Sequence, residues 1–315
     1  MRGRQADGSV WHEGELAMQE RAGQRGAMSR AQGGIRSEIP ERAAQFLGAQ
    51  RFAVVGSLDR ERRVWASLLT GPAGFLRVID PSTLEIRPSP PAGELLLSNL
   101  AANNDMGMLA IEFSRRRRMR LNGEARVQAD GSIAIHALQV YSNCPQYIQA
   151  RGVADGETEA TSPGKTQVRS NLDEEQAQMI RRADTFFIAS AHPEYGVDAS
   201  HRGGNPGFVQ LISPSALVFP DYAGNNMFNT LGNLAVNPRA GLLFVDFESG
   251  HTLQITAKAS VDWDAQHFKD FPGAQRLVEI AIEQVVENEA GCNLKFHFES
   301  FSPVNPPLRR EADTP

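Results

Sequence analysis

The residues best suited to chemistry occupy two neighbouring stretches of the C-terminal half. Asp198-Ala199-Ser200-His201-Arg202-Gly203-Gly204-Asn205-Pro206-Gly207-Phe208 places a serine, a histidine, an arginine and three glycines just ahead of an apolar run. Glycines let a backbone approach a ligand closely. Exposed amides beside an arginine fork suit a phosphate, and His201 adds a donor when protonated. The plainer reading is a glycine-rich turn with a surface arginine. The second stretch, Pro220 to Leu234, is dense in amide and hydroxyl side chains. Asn225, Asn226, Asn229 and Thr230 could bind polar ring edges or a ribityl chain, or simply serve as turn and helix-cap residues.

A third feature is Arg115-Arg116-Arg117-Arg118, with Arg120 just beyond. If Met119 and Leu121 point inward, Arg116, Arg118 and Arg120 share the opposite face of a strand. Such a strip could hold a phosphate or nucleic acid, although a charged hairpin edge that discourages aggregation is the commoner explanation. Ser162-Pro163-Gly164-Lys165-Thr166 ends like a Walker loop, but Glu159 stands where the first glycine belongs. Cys144 and Cys292 are too few for a disulfide framework or a thiolate zinc cluster, and the seven histidines show no paired ligand spacing, so no metal site is expected.

The elements that position these residues follow from an internal repeat, the feature to seek before any other. Asn99-Leu100-Ala101-Ala102-Asn103 and Gly107 to Phe113 are echoed by Asn233-Leu234-Ala235-Val236-Asn237 and Gly241 to Phe247, an offset of 134 that holds from Phe52/Phe186 to Val127/Val261. Gly74 to Val78 matches Gly207 to Leu211 one residue out of step, as a single-residue loop change would leave it. Each copy opens with a helix, Pro40 to Gln50 and Asp173 to Ala183, the second with Asn171 placed as N-cap and Glu174 three residues on. Short runs follow, rich in β-branched and aromatic residues: Phe52–Ser57 and Phe186–Ser190, Phe75–Ile79, then Met108–Phe113 and Gly241–Phe247. Late in each copy Ile133/Ile135/Ala137 and Val278/Ile280/Ile282 alternate with polar positions, as half-buried strands do. Many short strands with few helices predict a mainly β fold, a barrel or sandwich and not a doubly wound sheet.

The 315 residues carry 32 Lys+Arg against 37 Asp+Glu, a net charge of −5, with 41% hydrophobic and 22% charged residues. Those values fit a soluble globular protein of about two domains and argue against nucleic acid as a partner. No apolar run approaches the ~20 residues that span a bilayer, and the polar, glycine-interrupted N-terminus lacks a signal-peptide core; the expectation is a cytoplasmic protein. The domains divide as an arm (1–37), a first copy (38–150), a linker (151–171), a second copy (172–302) and a tail (303–315) expected to be extended and solvated. In the arm, Trp11, Glu15, Leu16, Met18 and Gln19 could form a short helix on a barrel, or the segment could lack fixed structure.

Taken together, these residues resemble the pyridoxamine 5'-phosphate oxidase-like split-barrel flavoproteins, in particular the subgroup with an HRGGxPGF loop and a GN…LGNL…NP segment. The resemblance covers about residues 172–261 well and 38–127 as a degenerate copy. Asn143-Cys144-Pro145-Gln146-Tyr147-Ile148 also resembles the NCPxYI stretch of this group. The family implies six-stranded split barrels that normally dimerise with FMN in the groove between them, so two copies in one chain imply tandem barrels forming an intrachain pseudo-dimer. By alignment, Gln210 falls at the place of a phosphate-binding lysine, and His201 or Arg202 near that of an arginine. A serine–arginine–lysine turn aligns to Phe228-Asn229-Thr230, so both of its basic residues are missing. A flavin-contacting glutamine aligns to Arg118 in the first copy and Thr252 in the second. Ser67-Leu68-Leu69-Thr70-Gly71 replaces the HRGG loop in the first copy.

The resemblance therefore implies an FMN-dependent oxidoreductase whose redox chemistry the flavin carries, with a substrate other than vitamin B6. Its partners would be a small-molecule substrate and an electron donor or acceptor, and its state a monomeric pseudo-dimer or a homodimer. The cofactor-binding set would be Ser200, His201, Arg202, Gly203, Gly204, Gln210, Asn225, Asn226, Asn229, Thr230 and Arg118; no catalytic residue is singled out. Two alternatives stay open: a deazaflavin (F420) or heme in the same groove, or a non-catalytic binding or structural protein whose groove has decayed.

Overall fold

The computed structural model describes residues 9–90, 92–154 and 165–308. After α1 (Glu13–Arg21) and α2 (Arg25–Ala31), the first half runs α3 (Glu41–Gly48), β1 (Phe52–Leu58), β2 (Val64–Thr70), β3 (Leu76–Asp80), β4 (Thr83–Ile86), α4 (Glu94–Ala102), β5 (Asp105–Glu112), β6 (Arg117–Val127), β7 (Ile133–Asn143) and β8 (Ala150–Val153). The second runs β9 (Thr166–Arg169), α5 (Glu174–Arg182), β10 (Thr185–His192), β11 (Gly196–Gly203), β12 (Gln210–Ser213), β13 (Ala216–Tyr222), α6 (Asn229–Val236), β14 (Arg239–Val245), β15 (Thr252–Asp262), α7 (Ala265–Phe268), β16 (Ala274–Asn288) and β17 (Phe296–Ser300).

The repeat is real at the level of topology. One sheet has the order β2-β1-β5-β6-β7-β4-β3, the other β11-β10-β14-β15-β16-β13-β12, the same path strand for strand. The fold is mainly β, two tandem split barrels. Each sheet curls around its own core: Ala53, Val55, Met108 and Leu121 in the first, Phe186, Ile188, Leu242 and Ile255 in the second. The alternate residues of the same strands (Phe52 and Val54, Leu109 and Ile111, Phe187 and Ala189, Leu243 and Val245) form a third core between the barrels. Strands β1 and β10 are thus buried on both faces, which is why their sequences read as continuous apolar runs instead of alternating ones.

The two halves meet as an isologous dimer does, each presenting the same patch to the other. A Cβ on Gly107 of β5 would lie 2.5 Å from the Val197 carbonyl oxygen of β11, and one on Gly241 of β14 would lie 2.7 Å from the Trp65 Cα of β2. These equivalent glycines let strand backbones of opposite barrels pass in contact. The segments after β7 and β16 cross over to the opposite barrel, and β8 and β17 then pair with each other.

Several expectations change. The α5 cap is Asp173, not Asn171, and it forms a reciprocal box with Gln176; the aspartate carboxylate reaches the third helical amide only from that register. The linker is partly structured: β8 ends within it, and β9 pairs with β16 at its far end. Lys165 and Thr166 of the Walker-like stretch are described, whereas Ser162 to Gly164 lie outside the described residues. The tail is held over residues 302–306, because Gln149 Oε1 accepts the Ser302 amide (2.7 Å) and Asn305 Nδ2 (3.0 Å). The described part of the arm is a docked helix. Gly14 and Gly232 let α1 and α6 cross so closely that a Cβ on Gly14 would lie 2.2 Å from the Gly232 carbonyl oxygen. No helix among the described residues is long and apolar enough to cross a membrane.

Candidate functional site

The inter-barrel arrangement creates two pseudo-equivalent grooves, and one of them is open. It is built where β6 of the first barrel faces β11, β13, β16 and the start of α6 of the second. On β6, Met119 and Leu121 point into the first core, which turns Arg118 and Arg120 toward the second barrel. The hairpin-edge reading therefore fails for these two arginines. Arg116, at the positive-φ turn before them (φ 51°), instead donates to the Ile148 carbonyl (2.9 Å) and Ser300 Oγ (2.8 Å).

Arg120 is a strut. It is 6% exposed, and its Nη1 donates to Asp198 Oδ2 (2.8 Å) while its Nη2 donates to Ser200 Oγ (2.6 Å). Asp198 also accepts from Tyr141 Oη (3.1 Å) and Asn122 Nδ2 (3.2 Å), so every donor it receives comes across the barrel interface. A charge pair this deep is tolerated only when its remaining bonds are also made. Ser200 Oγ additionally accepts Arg202 Nη1 (2.8 Å), and Asn229 Oδ1 accepts Arg120 Nη1 (3.3 Å).

Above the strut, charge is left over. Arg118, Arg202 and Arg276 surround the groove, and its other carboxylate, Asp221, lies 3.2 Å from Arg276 Nε. Burial, then Arg120 and Arg202, hold the Arg118 guanidinium down to about 9, and burial also lowers Arg202. Burial leads both shifts, and for Arg202 the nearby Asp221 and Asp198 offset only part of it. Burial and the surrounding arginines keep His201 neutral, its pKa well below the usual value. Its Nδ1 lies 2.9 Å from Arg118 Nη1. Since a guanidinium only donates, Nδ1 is the acceptor and the ring proton belongs on Nε2. Helix α6 starts beside these groups with Phe228 in the left-handed region (φ 61°), and no side chain caps it. An uncapped helix start beside arginine guanidiniums is an arrangement able to hold an anion.

The residues singled out from sequence distribute unevenly. Ser200, His201, Arg202, Gly203, Asn225, Asn226, Asn229, Thr230 and Arg118 line one groove. Gly204 does not line it; a Cβ there would press on the Phe208 ring at 2.6 Å. Gln210 is exposed on β12, outside the groove. The HRGG segment is not a loop offering free amides, because residues 196–203 pair with β10. Gly203 is needed because the Tyr147 carbonyl oxygen would lie 2.1 Å from its Cβ; the glycines receive protein, not ligand. Sequence reasoning missed Arg276, Asp221, Tyr147 and Tyr222, the last two with ring centroids 5.2 Å apart at the mouth. Tyr147 belongs to the NCPxYI stretch, which was a signal for the family but not for a role.

The equivalent groove is sealed. Thr252 and Gln254 replace Arg118 and Arg120, and Gln254 Nε2 donates to the Ala66 carbonyl (2.8 Å) and Ser67 Oγ (2.9 Å). The chain after β16 lies directly on it: a Cβ on Gly291 would fall 1.9 Å from Thr252 Oγ1, and Asn293 Oδ1 accepts Thr70 Oγ1 (2.7 Å).

His12, Glu13 and His192 also gather, with ligand atoms within 4.8 Å. Both histidines accept backbone amides at Nδ1, from Gly14 and from Glu194 and Tyr195. Their protons therefore lie on Nε2, facing Asn233 Oδ1 and Glu13 Oε1. A metal-bound histidine donates from its second nitrogen, so this is a hydrogen-bonded knot that fastens the arm.

Residues 172–304 match the family described as pyridoxamine 5'-phosphate oxidase. Among solved structures, the chain is similar to HupZ from Group A Streptococcus (11% identity, TM-score 0.31, covering 39% of this chain and 98% of that one). It is also similar to a FAD-binding protein from Mesorhizobium loti (14%, 0.27, 40% and 98%) and to an F420 reductase (15%, 0.27, 36% and 95%). No curated protein matches the chain.

Proposed function

Because residues 172–304 match the pyridoxamine 5'-phosphate oxidase family, we propose that the open groove binds FMN and that the protein is a flavin-dependent oxidoreductase. The observation that carries this reading is the surplus of arginine around an uncapped helix start. Among the described residues that line the groove, Asp221 is the single carboxylate beside Arg118, Arg202 and Arg276, and Asp198 behind them is taken up by Arg120. A phosphate monoester supplies the missing charge. Arg202 and Arg118 hold it, with the first amides of α6 as further donors. His201, fixed as the Nε2–H tautomer by Arg118, holds that arginine in place and stays neutral. Asn226, Asn229 and Thr230 address the polyol or ring edge. The flavin, when bound, supplies hydride or electron transfer. The groove lacks the family's serine–arginine–lysine turn, and the substrate is accordingly one other than vitamin B6.

The sealed groove sets the ratio at one cofactor per chain, and the inter-barrel core gives a single chain the interface that family members normally gain by dimerising.

A visible-range spectrum of the protein as purified, before and after denaturation, tests the cofactor. Flavin bands support FMN, while a deazaflavin or Soret spectrum redirects the reading to F420 or heme. Arg202→Ala is expected to weaken FMN by roughly ten- to a hundredfold, the worth of a charged hydrogen bond; an unchanged Kd removes Arg202 from the site. The enclosed space is about 100 Å³, below the ~300 Å³ at which ligand pockets usually begin. It can grip the phosphate end of a ligand but cannot enclose a ring system. That limit favours, as a second reading, a binding protein with a reduced groove, which wins if FMN, F420 and heme all leave the Tm unchanged.

A further inference from the structure

Beside the groove lies a second chamber of about 310 Å³, and the two share Gly224, Asn226 and Arg276 as their dividing wall. Its outer wall is Gln24 and Ala22, which follow α1 in the N-terminal arm. Those residues lie outside both barrels and outside the segment that matches the family. Trp263, from the end of β15, forms another wall, and Gln275 completes it.

We propose that this chamber is a second ligand site, built by the arm, for a small organic carboxylate. It rests on the reading of the groove only in placing that ligand next to the cofactor. The volume is at the low end of what ligand pockets offer and suits one or two rings, not a nucleotide. Among the described residues that line it there is no carboxylate, and Arg276 is the single charged group. Arg276 is 3% exposed, and its Nη1 has no hydrogen-bond partner among the described residues. Behind it, one carboxylate, Asp221, serves both Arg276 and Arg202, so the wall keeps a net positive charge. Gln24, Asn226 and Gln275 offer amides to a polar edge, and the indole of Trp263 forms an apolar wall. Arg21 adds a second guanidinium, 4.6 Å from the Trp263 ring centroid against 4.5 Å for Arg276. The arm is held firmly enough to serve as a wall. Glu15 of α1 is buried, its Oε1 accepts Asn229 Nδ2 from the groove side, and its Oε2 accepts the His12 amide (3.0 Å).

The full-length protein, with and without added FMN, is titrated with benzoate while tryptophan fluorescence is followed. Trp11 and Trp65 are buried at 2% and 1%, which leaves Trp263 as the responsive reporter. Saturable quenching is expected, at least tenfold weaker for uncharged benzamide and absent in Trp263→Phe. Arg276→Gln is expected to weaken benzoate at least tenfold. Should that variant fail to fold, Gln24→Phe, which fills the chamber and breaks no ion pair, must abolish the quenching. No saturation, equal response to benzoate and benzamide, or quenching that survives Gln24→Phe overturns the site. Flavin content is read from the same samples by absorbance. Benzoate binding without flavin retention keeps the chamber and rejects the groove reading, and the reverse result rejects the chamber alone.

Discussion

The two grooves descend from one template and differ in how they satisfy the same space. In the open one, Arg118 and Arg120 face Ser200, His201 and Arg202 across the interface. In the sealed one, Thr252 and Gln254 take those places, and the chain through Gly291 lies on top. Neutral groups can be closed over with ordinary hydrogen bonds, whereas unpaired cations cannot be buried without an anion. A tandem chain can therefore specialise one site and convert the other into structure, which two identical subunits cannot do.

The sharpest way to break that comparison is to cut equivalent residues. Arg120→Ala leaves Asp198 buried and unpaired, and loss of one partner of such a pair costs about 3–5 kcal/mol. Gln254→Ala removes only neutral hydrogen bonds and should cost about 1 kcal/mol. Urea denaturation of the two variants measures the difference; equal losses would mean that the strut is no more than a surface-grade pair. Next in size is Gly291→Ala. Its methyl would meet Thr252 Oγ1 at 1.9 Å, so the seal must shift, and overpacking of this kind costs roughly 1–3 kcal/mol. The same substitution at Gly74, which has a positive φ but open space around it (φ 92°), separates backbone strain from the steric clash. Because the sealed groove also lacks the arginines, Gly291→Ala alters stability without raising the flavin-to-protein ratio above one. A wild-type ratio of two removes the distinction altogether.

Much of this architecture was legible because it is local or repeated. The offset of 134 located both barrels, and the alternation of Met119 and Leu121 with Arg118 and Arg120 placed two arginines on one face. What stayed hidden depends on contacts between distant segments. The HRGG stretch looked like an amide-rich loop, yet its amides belong to a ladder and Gly203 makes room for the Tyr147 carbonyl, a residue from the other copy. Arg276 is ordinary in sequence; its role comes from β16 lying beside β13. Glu15 is a glutamate in the first turn of a short helix, where such residues normally face water. Only the close crossing at Gly14 and Gly232, more than two hundred residues apart, carries it inside.

That burial gives the smallest effect, and one that separates the arm from the barrels. Burial raises Glu15 from 4.5 to about 8, while burial and then His192 lower His12 from 6.5 to about 4. Both groups are therefore neutral when folded. Between pH 4.5 and 6.5 the unfolded chain carries one proton on His12 and the folded chain one on Glu15. The counts match and the contribution of this pair is flat, while His201, also neutral when folded, adds stability as pH rises toward 6.5. From pH 6.5 to 8 the folded state binds one proton more, and stability falls by at most about 2 kcal/mol. Below 4.5 the unfolded state binds the extra proton, and stability falls again as pH drops to about 4. Urea midpoints between pH 5 and 9 should rise to about pH 6.5, as His201 also folds neutral, and then fall along the alkaline limb in wild type, with the limb absent in Glu15→Gln. An identical limb in that variant would assign the pH dependence to the barrels and leave the arm a passive wall.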